Sequence, residues 1–248
     1  MKYNILNIII FILLFPAGLL AGGNTFNNSY QAAKQWLERD VYRDNRTTLY
    51  CQAAFDNQKN VIPPAGFDGS LYPDRAQRIE WEHVVPAENF GRSFPEWREG
   101  SPECADKGKP YKGRKCAEKT STAYQYMQSD MYNLYPAVGS VNAARSNYNF
   151  ALLGADVPSA FGACSFKIED NKAEPPPPSR GKIARAYLYM EAAYPAYRMS
   201  ASQRNLMQAW DRQHPVDRAE CLRTRRIEEI QHNDHPIIKP ACQAAGLW

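Results

Sequence analysis

The stretch "IEWEHVVPAENFG", residues 79–91, sets a carboxylate, Glu82, directly before a histidine, His83, on a segment that alternates like a strand and is halted by Pro86. A carboxylate can hold a hard cation, and a neutral imidazole can take a proton from water. Together they are two parts of a metal-assisted hydrolysis. Adjacent side chains on a strand point to opposite faces, so the pair can share a site only where the strand ends and the backbone turns. Pro86 supplies such an ending. The competing reading is that a lone histidine is structural.

A second concentration, "SDMYNLYPAVGSVNAARSNYNFA" at residues 129–151, interleaves four asparagines with aromatic residues. Amide oxygens suit Mg²⁺ or Ca²⁺. Asn142, Asn147 and Asn149 are equally well explained as helix caps and turn residues. Asn133, set between Tyr132 and Leu134, has less reason to cap. Rival chemistries lack their motifs: the chain has no H-E-x-x-H, no G-x-S-x-G and no C-x-x-C. His214, His232 and His235 sit among Pro, Asn and Asp in the last third, as loop and helix-end residues.

The elements that must position these groups follow from the rest of the chain. Residues 1–23 read as a signal peptide: Lys2 is a positive n-region, Ile5 to Leu20 a nearly unbroken apolar run, and Ala21 and Gly23 are the small residues before a cut after Gly23. The run is short for a membrane anchor and is interrupted by Pro16 and Gly18. The mature chain is therefore expected to be soluble and either periplasmic or secreted. Six cysteines follow, an even count that in an exported chain implies disulfides. Cys104–Cys116 and Cys221–Cys242 are the expected local loops, which leaves Cys51–Cys164 as the long-range bridge.

Helical spacing runs through "SYQAAKQWLERDVY", and "TTLYCQAAF" is expected as a strand, as is Arg78 to Val85. The polar stretch from Phe94 to Thr120 reads as a long loop, with a basic cluster at residues 107–119, "KGKPYKGRKCAEK". Met127 to Leu134 and a segment from Val138 are expected as pieces of bent helix, and Pro175–Pro178 as a stiff extended connector. Ser179 then caps a helix, "SASQRNLMQAWDRQ" is another and "VDRAECLRTRRIEEIQ" a third, its arginines on a solvated face. A coil closes the chain. The fold class expected is α+β: one helix-rich domain over residues 24–248 with a small antiparallel sheet. The net charge of +4 falls to +3 when Lys2 leaves, too little to establish a nucleic-acid partner by itself.

"RIEWEHVVPAENFG", "MYNLYPAVGSVNAARSNYNF", "RGKIARAYLYM" and "LMQAWDRQHPVD", in that order, resemble the endonuclease I family. These are exported bacterial nucleases with a ββα-metal, or His-Me finger, active site. The resemblance covers roughly Ser29 to Cys242. It implies an embedded ββα-metal motif, with His83 as general base, one Mg²⁺ held by Glu82 and Asn133, and Arg114 on the scissile phosphate. Ca²⁺ or Mn²⁺ could take the place of Mg²⁺. It also implies a monomer that cuts double- and single-stranded DNA, and RNA as a second substrate. Members of the family often carry two further cysteines between Cys51 and the E-W-E-H motif, and an acidic residue where this chain has Ser140. The basic loop here is also longer. Two other readings stay open: a non-catalytic DNA-binding or DNA-uptake protein that uses the 107–119 loop, and an exported zinc hydrolase.

Overall fold

The computed structural model describes residues 22–248, so most of the segment read as a signal peptide, residues 1–23, lies outside the described residues. Helix α1, Tyr30–Trp36, opens behind Ser29, whose hydroxyl accepts from the Ala32 N–H at 3.2 Å, and continues as a π-helical turn over Leu37–Val41. The stretch expected as a strand at 47–55 instead folds back in a tight turn. Gln52 takes a left-handed φ of 52°, and only β1, Ala54–Phe55, pairs with β2, Val61–Ile62. The short helix α2, Pro73–Ala76, leads into β3, Ile79–His83.

Strand β3 stops at His83, two residues short of the Val85 expected. The chain bends at Val84 and Val85 and enters helix α3, Ala87–Gly91. The segment expected as a long loop is more ordered than its composition suggests. It holds α4, Pro95–Arg98, a hairpin of β4, Ala105–Asp106, and β5, Lys109–Pro110, and α5, Arg114–Thr120. Gly113 makes that last start possible, because its φ of 82° is open to glycine and costly for other residues.

Helix α6, Thr122–Gln128, and a single 3₁₀ turn, Met131–Asn133, precede β6, Leu134–Val138. The bent helix expected here is thus partly a strand, antiparallel to β3 and in register from Ile79↔Val138 to His83↔Leu134. Pro136 is tolerated because its carbonyl accepts from the Leu49 N–H at 2.7 Å, on the side away from β3. Its missing N–H is therefore never required by the β3 ladder. Helix α7, Gly139–Arg145, follows without a loop. A Cβ at Gly139 would lie 2.5 Å from the Arg75 carbonyl oxygen, so the bare backbone lets α7 close on the segment before β3.

The remaining strands form one small mixed sheet. β7, Asn149–Phe150, runs parallel to β9, Lys172–Glu174, which pairs antiparallel with β8, Lys167–Glu169. Helix α8, Pro177–Ala193, begins inside the tetraproline. Proline fits the first helical turn, where no N–H is needed. Ser179 is consequently inside the helix rather than at its cap, and its hydroxyl donates to the Leu49 carbonyl at 2.9 Å. Helices α9, Ala201–Gln213, and α10, Arg218–Gln231, start behind Ser200 and Asp217, each of which accepts from the third residue on. The closing segment forms α11, Ile238–Ala244, instead of coil. The arginines of α10 do not share a solvated face: Arg223 is buried, donating to the Met131 and Leu134 carbonyls, and Arg226 ion-pairs with Asp44.

β3, β6 and α8 meet in one apolar core with Trp81, Val84, Tyr132, Leu134, Tyr187 and Trp210. All three expected disulfides are formed, Cys51–Cys164, Cys104–Cys116 and Cys221–Cys242. No helix among the described residues is long and apolar enough to cross a membrane. Cys51–Cys164 closes 113 residues of chain. Replacing both its cysteines by serine should lower unfolding free energy by about 3–5 kcal/mol, read from denaturant midpoints of the otherwise oxidised protein. An unchanged midpoint would contradict a role for this bridge in stability.

Candidate active site

A cavity of about 720 Å³ opens between α1, β3, α5 and α7, and Tyr30, Glu82, His83, Arg114 and Asn142 are among the residues that line it. Glu80 and Glu82, two apart on β3, turn one face of the strand towards α7. Asn142 and Arg145, three apart on α7, turn one face of the helix back. The two periods meet: Asn142 Nδ2 donates to Glu80 Oε2 at 2.6 Å, and Arg145 Nη1 donates to Glu82 Oε1 at 2.8 Å.

Glu82 and Arg145 are both buried, and the second donor to the same carboxylate oxygen is the Tyr50 hydroxyl at 2.6 Å. Burial pushes the Glu82 carboxyl up from its ordinary range, and the Arg145 guanidinium opposes this. No hydrogen bond among the described residues reaches Glu82 Oε2 or Asn142 Oδ1, so two hard oxygen donors remain open on the cavity wall. That donor set fits a hard divalent cation with water in its other positions. No group of three or more His, Cys, Asp or Glu side chains converges in metal-holding geometry among the described residues, so the zinc reading has no ligand set there.

His83 faces the other side of the strand end and is also buried. Its Nε2 lies 2.8 Å from the Gln128 carbonyl oxygen. A carbonyl can only accept, so Nε2 carries the proton and Nδ1 keeps its lone pair. Burial, and then the positive charge of Arg114, lower the imidazole to about 3, which keeps it neutral. The Tyr30 ring packs on it with centroids 5.1 Å apart. Arg114, the first residue of α5, stands beside the same ring and is part-exposed, with Nε donating to Glu118 Oε1 at 2.8 Å. The Cys104–Cys116 bridge ties α5 to the hairpin before it and so fixes where this guanidinium stands.

Asn133 is the one expected site residue that does not line the cavity. Its side chain is fully buried, Oδ1 accepting from the Val85 N–H at 2.7 Å and Nδ2 donating to the Val85 carbonyl at 3.0 Å. Both ends of the amide are thus spent on the backbone two residues after His83. The Asn133 carbonyl also accepts from the Val84 N–H. Asn133 therefore holds the bend that lets neighbours on a strand serve one cavity, and Asn142 takes the place on the wall that was expected of Asn133. Tyr50 and Arg145 escaped notice as well. The i, i+3 spacing of Asn142 and Arg145 against the i, i+2 spacing of Glu80 and Glu82 was the signal available for Arg145, and nothing local pointed to Tyr50.

Residues 24–242 match the model of a family described as endonuclease I. The chain belongs to the endonuclease I family. It is 40% identical over 239 residues to an extracellular deoxyribonuclease of Aeromonas hydrophila, covering 94% of this chain and 98% of that one. A periplasmic deoxyribonuclease of the same organism is 40% identical, over 87% of both chains. Endonuclease-1 of Buchnera aphidicola is 35% identical, over 88% of this chain and 83% of its own. The matched residues 24–242 contain every residue of the cavity wall named above.

The two asparagines should separate cleanly. Asn133→Ala leaves the Val85 N–H and C=O buried without partners and should lower unfolding free energy by about 2–4 kcal/mol. Asn142→Ala should change it by less than about 1 kcal/mol. Thermal and denaturant melts of the two variants decide the point, and equal losses would overturn the division of roles.

Proposed function

We propose that this member of the endonuclease I family hydrolyses phosphodiester bonds of DNA outside the cytoplasm, with His83 as general base. The reading is carried by one observation. The His83 Nε2–H is committed to a backbone carbonyl, which leaves a neutral Nδ1 on a cavity it shares with the open oxygen of Glu82 and the guanidinium of Arg114. The names of the Aeromonas relatives support DNA as the substrate. β3, β6 and α7 would then form the ββα-metal module, and the residues that hold the ion would be Glu82 and Asn142 instead of Glu82 and Asn133.

Bound there, Mg²⁺ would supply Lewis-acid stabilisation of charge on the phosphate and the leaving oxygen. The chain's own residues do the rest. Nδ1 of His83 takes a proton from a water as that water attacks phosphorus, and Nε2 keeps its hydrogen bond to Gln128 throughout. Arg114 holds a non-bridging phosphate oxygen, the contact for which a planar guanidinium is suited. Glu82 is kept from turning towards the phosphate by Tyr50 and Arg145. The P–O3′ bond breaks and the departing O3′ takes a proton from solvent water, giving a 5′-phosphate and a 3′-hydroxyl.

Lys34, Lys59, Arg75 and Arg78 also line the cavity and would follow the backbone of the nucleic acid. Contacts of this kind read phosphate rather than sequence, so cutting should be non-specific and weaken with salt, and RNA would be a second substrate.

The oxidised, purified protein should convert supercoiled plasmid to nicked and linear forms with Mg²⁺ and leave it intact in EDTA. His83→Ala should lower the rate at saturating Mg²⁺ by about 10²–10⁴-fold with an unchanged melting curve. Equal nicking by wild type and His83→Ala would sink the mechanism. Binding without nicking by either would favour the DNA-uptake reading.

A further inference from the structure

Asp130 is a carboxyl group with no cationic partner among the described residues. It is fully buried, and every donor to its carboxylate among the described residues is neutral. Oδ1 accepts from the Tyr132 N–H at 3.0 Å and Gln231 Nε2 at 2.9 Å. Oδ2 accepts from the Tyr189 hydroxyl at 2.6 Å, the Tyr194 hydroxyl at 2.5 Å and the backbone nitrogen of Asn24 at 3.3 Å. A buried carboxylate with no cation near it is costly to retain.

Asn24 is where a cut after Gly23 would start the mature chain. Its backbone nitrogen, buried with the rest of the residue, lies between Asp130 and the Tyr194 hydroxyl, 2.8 Å from the latter. Its side chain is fastened independently: Nδ2 donates to the Asn27 and Tyr126 carbonyls, and Oδ1 accepts from the Phe26 and Asn27 N–H groups. Gly23 runs against Tyr194 so closely that a Cβ would fall 2.3 Å from the ring.

We infer that removal of the leader creates the missing cation: the new α-ammonium of Asn24 pairs with Asp130, and this pair positions the segment that holds His83. Hydrolysis of the Gly23–Asn24 bond takes up one water and leaves a carboxylate on Gly23, which departs with the leader. The amine left on Asn24 takes a proton and presents three donors where the uncut chain has one neutral N–H. The inference rests on reading residues 1–23 as a signal peptide, but it does not need the nuclease mechanism to be right.

The route to the active site is short. Asp130 caps the 3₁₀ turn Met131–Asn133 through the Tyr132 N–H. At one end of this segment the Gln128 carbonyl accepts from His83 Nε2, and at the other Asn133 clamps Val85. Asp130 and the Asn24 amine are thus positioning groups, poised to make a fully ordered site a consequence of processing.

The test compares a chain that begins at Asn24, released from a fusion that leaves no extra residue, with one that begins at Gly22, each with and without Asp130→Asn. The Gly22 chain should melt roughly 5–10 °C lower, and its kcat on plasmid DNA should fall several-fold with KM little changed. The sign of the Asp130→Asn effect is decisive. It should lower the melting temperature of the Asn24 chain, and leave unchanged or raise that of the Gly22 chain, where it removes an unpaired charge. If the Gly22 chain does not fold, Asp130→Asn should restore folding, and failure to do so overturns the inference. Equal losses from Asp130→Asn in both chains also overturn it. The intact mass of the protein exported with its own leader separates the premises: a start away from Asn24 overturns the leader reading, whereas a start at Asn24 with equal losses overturns the ion pair alone.

Discussion

The buried pair of Glu82 and Arg145 is the interaction on which the rest of the site depends. Removing two such groups from water costs several kcal/mol for each ion, and their mutual attraction offsets this only when the remaining donors and acceptors are also satisfied. Arg145 meets most of that condition with one guanidinium. Besides Glu82 it donates to the carbonyls of His83 and Val84 and to the Tyr187 hydroxyl, and its plane lies 4.6 Å from the centroid of Phe150. A single cation thereby joins α7 to the end of β3, the bend after it, and α8. Burial disfavours its charge, but the Glu82 carboxylate and the Tyr50, Tyr187 and Tyr197 hydroxyls together outweigh this and hold it protonated. Glu82 in turn has one oxygen fixed and one open, so it can face a cation without rearranging.

The bend at Val84 and Val85 resolves the difficulty posed by two adjacent side chains on a strand. A strand alone would send Glu82 and His83 to opposite faces. Arg145 takes the carbonyls of His83 and Val84, Asn133 takes both backbone groups of Val85, and Gln128 takes the imidazole N–H. Each polar group exposed when β3 stops pairing is met by a partner that is itself buried. That is why the turn can be buried at all.

The sequence was legible where one residue type at one spacing has one use. That Glu82 and His83 could reach one cavity was legible from their adjacency and the following proline, and the three disulfides from cysteine spacing. It was illegible where a residue type has two uses that only long-range packing separates. Asn133 and Asn142 lie in one asparagine-rich stretch, and the one that looked less like a cap is the clamp. Leu134–Val138 contains a proline and so did not read as a strand, because nothing local announces that Leu49 will accept the role of neighbour on that side. The arginines of α10 read as a solvated face, yet Arg223 satisfies the carbonyls of Met131 and Leu134 that flank the 3₁₀ turn. In each case the deciding partner lies far away in sequence. A helix start that depends on a cap within three residues was legible at Ser200, whereas Ser179 was not, because the prolines before it already form the first turn.

The disulfides bear on the same balance. Cys51–Cys164 spans 113 residues, and within that span lie Glu82, His83, Arg114, Asn133, Asn142 and Arg145. Cys104–Cys116, 12 residues apart, is nested inside it and closes the loop that ends at Arg114. Bringing β3 to α7 and both to Tyr50 requires long segments to be ordered before the buried ion pair returns any stabilisation. A cross-link around the whole span lowers the entropy of the unfolded chain, on the chain-entropy account, by an amount comparable with the cost of burying the charges. A site centred on a desolvated ion pair therefore gains most from an oxidising compartment, where that cross-link persists.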